Sequence, residues 1–77
     1  MSKLEQLSGT VERIAFRNET TGYAVLMLRS GERAELQTLV GAAPIVEEGD
    51  WIEAEGRWET DPSWGRQFRA SLLWNRP

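Results

Sequence analysis

The 77 residues contain no cysteine and no histidine. Their absence excludes disulfide staples, thiolate or imidazole zinc sites, and every nucleophile–histidine pair of hydrolytic catalysis. The single lysine, Lys3, precedes all seven glycines, so no phosphate-cradling loop ending in lysine exists here. No apolar run approaches the roughly 18 residues needed to cross a bilayer, and the first residues lack the apolar stretch of a signal peptide. The expectation is a cytoplasmic protein with no membrane partner. On that reading Asn18-Glu19-Thr20 matches the glycosylation sequon only by accident.

A basic excess is missing too. Twelve acidic residues against nine basic ones leave a net charge of −3. A free-standing nucleic-acid binder usually carries the opposite balance, because phosphate neutralisation supplies most of its affinity. Strong autonomous DNA binding is therefore disfavoured.

What the chain does have is apolar mass. Forty per cent of it is hydrophobic, with four tryptophans, two phenylalanines and one tyrosine. That suits a single domain near the lower size limit for folding around one core. Buried tryptophans, at roughly 150–250 Å² each, are an efficient way to build such a core.

Turn signals fall at residues 18–22, 30–31, 41–44, 49–50 and 61–65, and β-forming runs separate them. Five strands are expected, at residues 7–17, 23–29, 33–40, 51–60 and 66–74. Residues 1–6 form an N-terminal arm, frayed or a short helical turn, and residues 7–77 form the domain. Along the first strand Leu7, Gly9 and Val11 share one phase, while Ile14 and Phe16 take the other. One inserted residue near Glu12-Arg13 would return both sets to one side, as a β-bulge does. The second strand, YAVLMLR, is apolar on both phases, so it is either covered on both faces or carries a functional apolar face. In the fourth, Ile52, Ala54, Gly56 and Trp58 alternate with Trp51, Glu53, Glu55, Arg57 and Glu59. In the fifth, Phe68, Ala70, Leu72 and Trp74 alternate with Gln67, Arg69, Ser71 and Leu73. Trp58 and Trp74 are accordingly expected in the core, and Trp51 and Trp64 outside it.

Five short strands with a bulged first one make an all-β protein, a small closed barrel of the OB or SH3-like kind. The segment GAAPIVEE between strands three and four is too short for more than a turn of helix. The first choice is a five-stranded OB-like barrel with its helix missing or vestigial, and Ile45-Val46 plugging its underside.

Asp61-Pro62-Ser63-Trp64 fits a type I turn, with Gly65 left-handed after it, and this explains Asp61, Pro62 and Gly65 without a ligand. Trp64 has no such backbone reason. It either folds back over Gly65 or Phe68, or serves as a platform for a base or a partner side chain. Trp51, Arg57, Arg66 and Arg69, with Arg13 and Arg17 nearby on the first strand, complete the candidate nucleic-acid contacts. The competing reading pairs these arginines with Glu53, Glu55 and Glu59 across strands. The acids at Glu47, Glu48 and Asp50 form an ordinary turn, so no catalytic or metal-ligating residue is assigned.

The stretches SGTVERIAFRNETTGYAVLMLR and VGAAPIVEEGDWIEAEGRWETDPSWGRQFRA together resemble a known family. The pattern G-x-V-E-x-I-x-F-x-N at residues 9–18 is followed by Gly22-Tyr23, Val40-Gly41, Gly49-Asp50-Trp51, Gly56-x-Trp58 and the aromatic-Gly-x-Gln-Phe run at residues 64–68. In order and spacing these resemble the N-terminal domain of RecD/TraA-type ATP-dependent DNA helicases, the family that includes the exodeoxyribonuclease V alpha subunit. The resemblance implies an OB-like accessory domain of a superfamily 1 helicase moving 5′ to 3′ on single-stranded DNA in repair or recombination. ATP and Mg²⁺ would then belong to motor domains elsewhere in a longer parent chain, and this stretch would need no cofactor. Its implied partners are the other domains of that helicase and, weakly, single-stranded DNA. Direct DNA guidance and interdomain docking remain two separate readings.

Overall fold

The computed structural model describes residues 3–30, 35–43, 45–63 and 65–76, with residue 76 described by its backbone alone. Five strands, β1 (Glu5–Arg17), β2 (Tyr23–Arg29), β3 (Leu36–Ala42), β4 (Trp51–Asp61) and β5 (Gly65–Arg76), make up most of them. They close in the order β1-β2-β3-β5-β4, with β4 returning to β1. Every neighbouring pair is antiparallel except β3 with β5, which runs parallel through Thr38–Gln67, Leu39–Phe68 and Val40–Arg69. This is the expected all-β OB barrel. Among the described residues there is no helix. Between β3 and β4, Val46 is buried in the core while Ile45 is exposed, so half of the expected plug is in place.

β4 and β5 run one or two residues past their expected limits. The expected start of β3 at residues 33–34 lies outside the described residues, and β1 and β3 also depart from expectation. β1 begins at Glu5, because Glu5 and Gln6 pair with Gly56 and Glu55 instead of forming an arm. β3 runs from Leu36 through Gly41 and Ala42, which pair with Ala24 and Tyr23. The glycine expected to start a turn there continues the ladder.

The core is built from alternate residues of each strand: Val11, Ala24, Leu26, Leu28, Leu39, Ile52, Ala54 and Phe68, closed by Ala43 and Val46. Burying a side chain of this size contributes roughly 1.5–3 kcal/mol, and without disulfides that burial carries the fold. Bulges decide which residues join it. Glu12 is an extra residue between Val11 and Arg13, and it brings Ile14 back against the core as expected. A second extra residue, Ala15, then turns Phe16 out, and its side chain is 49% exposed. Phe16 is not a core residue.

A third irregularity corrects β5. Ala70 pairs with Gly56 and Leu72 with Glu55, so Ser71 is the extra residue. Beyond it the phase inverts. Leu73 packs on the core, while Leu72 and Trp74 stand 60% and 41% exposed. Trp74, expected inside, therefore lies outside, its Nε1 donating to Glu53 Oε1 at 3.1 Å. Gly56 permits the close approach of β5 at this point, since a Cβ there would collide with the Arg69 carbonyl.

Candidate functional site

The hairpin joining β4 to β5 forms for local reasons. Asp61 Oδ1 accepts from the Ser63 amide at 2.7 Å, and Gly65 takes a φ of 79°, as the turn chemistry requires. Behind the turn Trp58 pairs with Phe68, their rings edge to face with centroids 5.2 Å apart. Phe68 is buried and Trp58 packs against the core, both as the alternation predicts. The Arg66 guanidinium lies 4.0 Å from the Trp58 ring centroid. Arg66 shares the inward phase of Phe68, so it caps the barrel mouth instead of joining the other arginines. Trp64 lies outside the described residues.

Arg57 and Arg69 do share the outer face, as directly opposed partners on β4 and β5. Their like charges are moderated by Glu59. Arg69 Nε donates to its carboxylate at 3.0 Å and Arg69 Nη2 lies 2.8 Å from Oε2. Gln67 Nε2 donates to the same Oε2 at 2.5 Å. The Arg69 hydrogen bond first, and the Gln67 one second, hold the Glu59 carboxyl below the usual carboxylate range. In return the hydrogen bond to Glu59 raises Arg69 above the ordinary arginine value, with the Tyr23 phenol a minor contributor. The cross-strand pairing expected from composition is thus realised for Arg69.

Gln67 was expected on the exposed phase beside Arg69, yet it is 1% exposed. It sits where β5 is flanked by β3 and β4, opposite Thr38 and Glu59. A cleft of about 430 Å³ opens over it, walled by Phe16, Tyr23, Val25 and Val40 with Asp61 at its edge. That size falls within the roughly 300–1,000 Å³ of small-ligand sites. Val25 and Val40 are buried although they belong to the outward phase of β2 and β3. This answers the doubly apolar reading of YAVLMLR: the second face is a cleft floor.

The loop at the cleft's rim is equally local in origin. Asn18 Oδ1 accepts from the amides of Thr20 and Thr21 at 2.9 and 3.1 Å, and Asn18 N donates to Tyr23 O at 2.7 Å. Asn18 is thus a turn-former, which places Tyr23 at the cleft.

The family model for the OB-fold domain of the ATP-dependent DNA helicase YrrC matches residues 4–75. The chain belongs to this family. The match takes in nearly all of the five strands, so family and topology agree. No curated protein matches the chain.

In this YrrC-type OB domain, Trp51 is remote from the hairpin. It starts β4 and Asp61 ends it, ten residues on, roughly 30 Å at the ordinary strand rise. Trp51 instead shares the outer face of β4 and β5 with Trp74 and Leu72, whose register partners are Glu53 and Glu55. The structure therefore divides the sequence candidates into three places: Arg66 at the mouth, Arg57 and Arg69 on the outer face near the cleft, and Trp51 at the far end.

The acidic turn of the OB domain serves the first bulge. Val11 N donates to Asp50 O and Gly49 N to Val11 O, both at 2.8 Å. Glu48 Oε2 accepts from Ile14 N at 3.2 Å, and Glu47 lies 3.5 Å from Arg17 Nη1. Arg17 also donates to the Val46 carbonyl, which ties it to the loop and away from solvent. Among the described residues, no group of acids is arranged to hold a metal ion, and no helix is long and apolar enough to cross a membrane. Sequence reasoning missed Phe16, Tyr23 and Gln67 as cleft residues. The available signal was the excess of apolar residues on β2, which demanded an occupant or a cover for its second face.

Proposed function

We propose that this domain is an accessory module of a RecD/TraA-type superfamily 1 helicase, of which the exodeoxyribonuclease V alpha subunit is one member. In this reading it guides single-stranded DNA toward the motor across the cleft of Phe16 and Tyr23. The observation that carries the reading is an exposed aromatic ring at a cleft that the buried Gln67 also lines, on a barrel of a DNA-helicase family. Bases stack on such a ring without sequence preference, each contributing roughly 1–3 kcal/mol. Arg13, exposed on β1 opposite Met27, and Arg57 supply nearby positive charge, and Trp64 and Arg66 remain contacts proposed on sequence grounds. With a net charge of −3 the affinity is weak, and tethering to the motor supplies the effective concentration. ATP and Mg²⁺ act in the motor domains, 5′ to 3′ translocation serves DNA repair or recombination, and the setting is the cytoplasm.

Fluorescence anisotropy with a labelled mixed-sequence single strand at low salt tests this. Weak, salt-sensitive binding that drops several-fold in Phe16→Ala supports the reading, as does a further drop in Trp64→Ala. Binding unaffected by Phe16→Ala would overturn it.

A second reading is favoured by the exposed group Trp51, Leu72 and Trp74 on the opposite end of the β4–β5 face. Glu53 and Glu55 among them repel phosphate, so this face suits docking to another domain of the helicase. Leu72→Asp in the full helicase then weakens interdomain coupling, read as loss of a shared thermal transition, while the isolated domain keeps its melting temperature. A shared transition that survives Leu72→Asp counts against docking there.

A further inference from the structure

Gln67 is a buried side chain whose two polar ends are treated unequally. Its Nε2 donates to Glu59, a carboxylate that only accepts, so the amide nitrogen is turned that way and the oxygen the other way. Glu59 is in turn clamped by Arg69. Arg69, Glu59 and Gln67 thus form a relay that fixes the amide plane. At its end Gln67 Oε1 is buried and has no hydrogen-bond partner. A buried acceptor left unpaired is costly, and native structures rarely tolerate one without a use. Gln67 lines the cleft that also holds the exposed ring of Phe16.

We infer that this cleft is a subsite for a single nucleobase bearing an exocyclic amine, with Gln67 Oε1 as the acceptor that selects it. The inference rests on the proposed contact with single-stranded DNA and adds a preference to it. An amine, as on cytosine or adenine, donates to the waiting oxygen. A carbonyl at the same position, as on uracil or thymine, sets acceptor against acceptor. The apolar walls at Val25 and Val40 and the ring of Phe16 receive the base faces. Asp61 at the edge disfavours phosphate there and leaves the base as the part that enters.

Oligo-dC and oligo-dU of equal length exchange an amine for a carbonyl at ring position four and, with it, a bare N3 acceptor for an N3–H, so the Gln67 variant is what isolates this contact. Both are titrated into the ¹⁵N-labelled domain at neutral pH and low salt, following the Gln67 side-chain amide. The expectation is tighter binding of oligo-dC by roughly 2- to 10-fold, the worth of one neutral hydrogen bond. The Gln67 amide signals are expected to move with oligo-dC. Phe16→Ala weakens both and preserves their ratio, whereas Gln67→Met, close in shape, brings the ratio to about one. The wild-type ratio, read together with the Gln67 amide signals, stands as the test even if Gln67→Met does not fold. Equal binding with still Gln67 signals overturns the subsite and leaves the general DNA reading standing. Binding of neither oligonucleotide overturns both.

Discussion

Arg69 holds the Glu59 carboxylate through two nitrogens, Nε at 3.0 Å and Nη2 at 2.8 Å, diagonally across the β4–β5 pair. The relationship lowers the carboxyl's pKa from its ordinary 4.5. A depressed folded value means the contribution to stability is present above the unfolded pKa and is lost as pH falls through the folded one. The melting temperature is therefore expected to decline below about pH 4.5, with a smaller decline in Glu59→Gln. Circular dichroism melts between pH 3 and pH 6 measure this, and parallel curves for the two proteins would count against it.

The third bulge makes a sharper claim about neighbouring leucines. Leu73 packs on the core and Leu72 faces solvent. Leu73→Ala is expected to cost about 2 kcal/mol or more and Leu72→Ala within about 0.5 kcal/mol. Urea unfolding of the two variants checks this, and the reverse order would restore uninterrupted alternation in β5.

Gly56 meets the backbone of β5 with no space for a side chain. Gly56→Ala is expected to destabilise by about 1–3 kcal/mol through overpacking, although alanine ordinarily strengthens a strand relative to glycine. A variant as stable as the parent in thermal melts would contradict the close approach.

At the barrel mouth, Phe68→Ala removes a buried ring and is expected to cost about 3–5 kcal/mol. Arg66→Ala removes only the cation over Trp58, worth about 0.5–1 kcal/mol at an exposed site. The emission of Trp58, followed in a variant lacking the other three tryptophans, reports both. A large loss in Arg66→Ala would mean that Arg66 does more than cap the ring.

Much of this fold was legible because β4 alternates cleanly and its turns carry strong local signals. Asp61 and Gly65 act as their chemistry predicts, and the bulge at Glu12 follows from the phase change between Val11 and Ile14. Phe16 and Trp74 were misplaced for one shared reason: a bulge at Ala15 or Ser71 inverts everything beyond it and is set by partner strands. Gln67 was misplaced differently. Alternation tells inward from outward, and in a closed barrel an outward residue flanked by β3 and β4 is still covered. Of the candidate site, the arginines of the hairpin were readable, but their separation by Glu59 and Trp58 arises only from pairing. The cleft joins residues from all five strands, so no local pattern announces it.

The most direct test of the account is ¹⁵N chemical-shift mapping of the domain with a short single strand at low salt. The account predicts perturbations centred on Phe16, Tyr23, Val25, Val40 and Gln67, with Trp51 and Trp74 unmoved. Perturbations centred on Trp51 and Trp74, or none at any site, would contradict it.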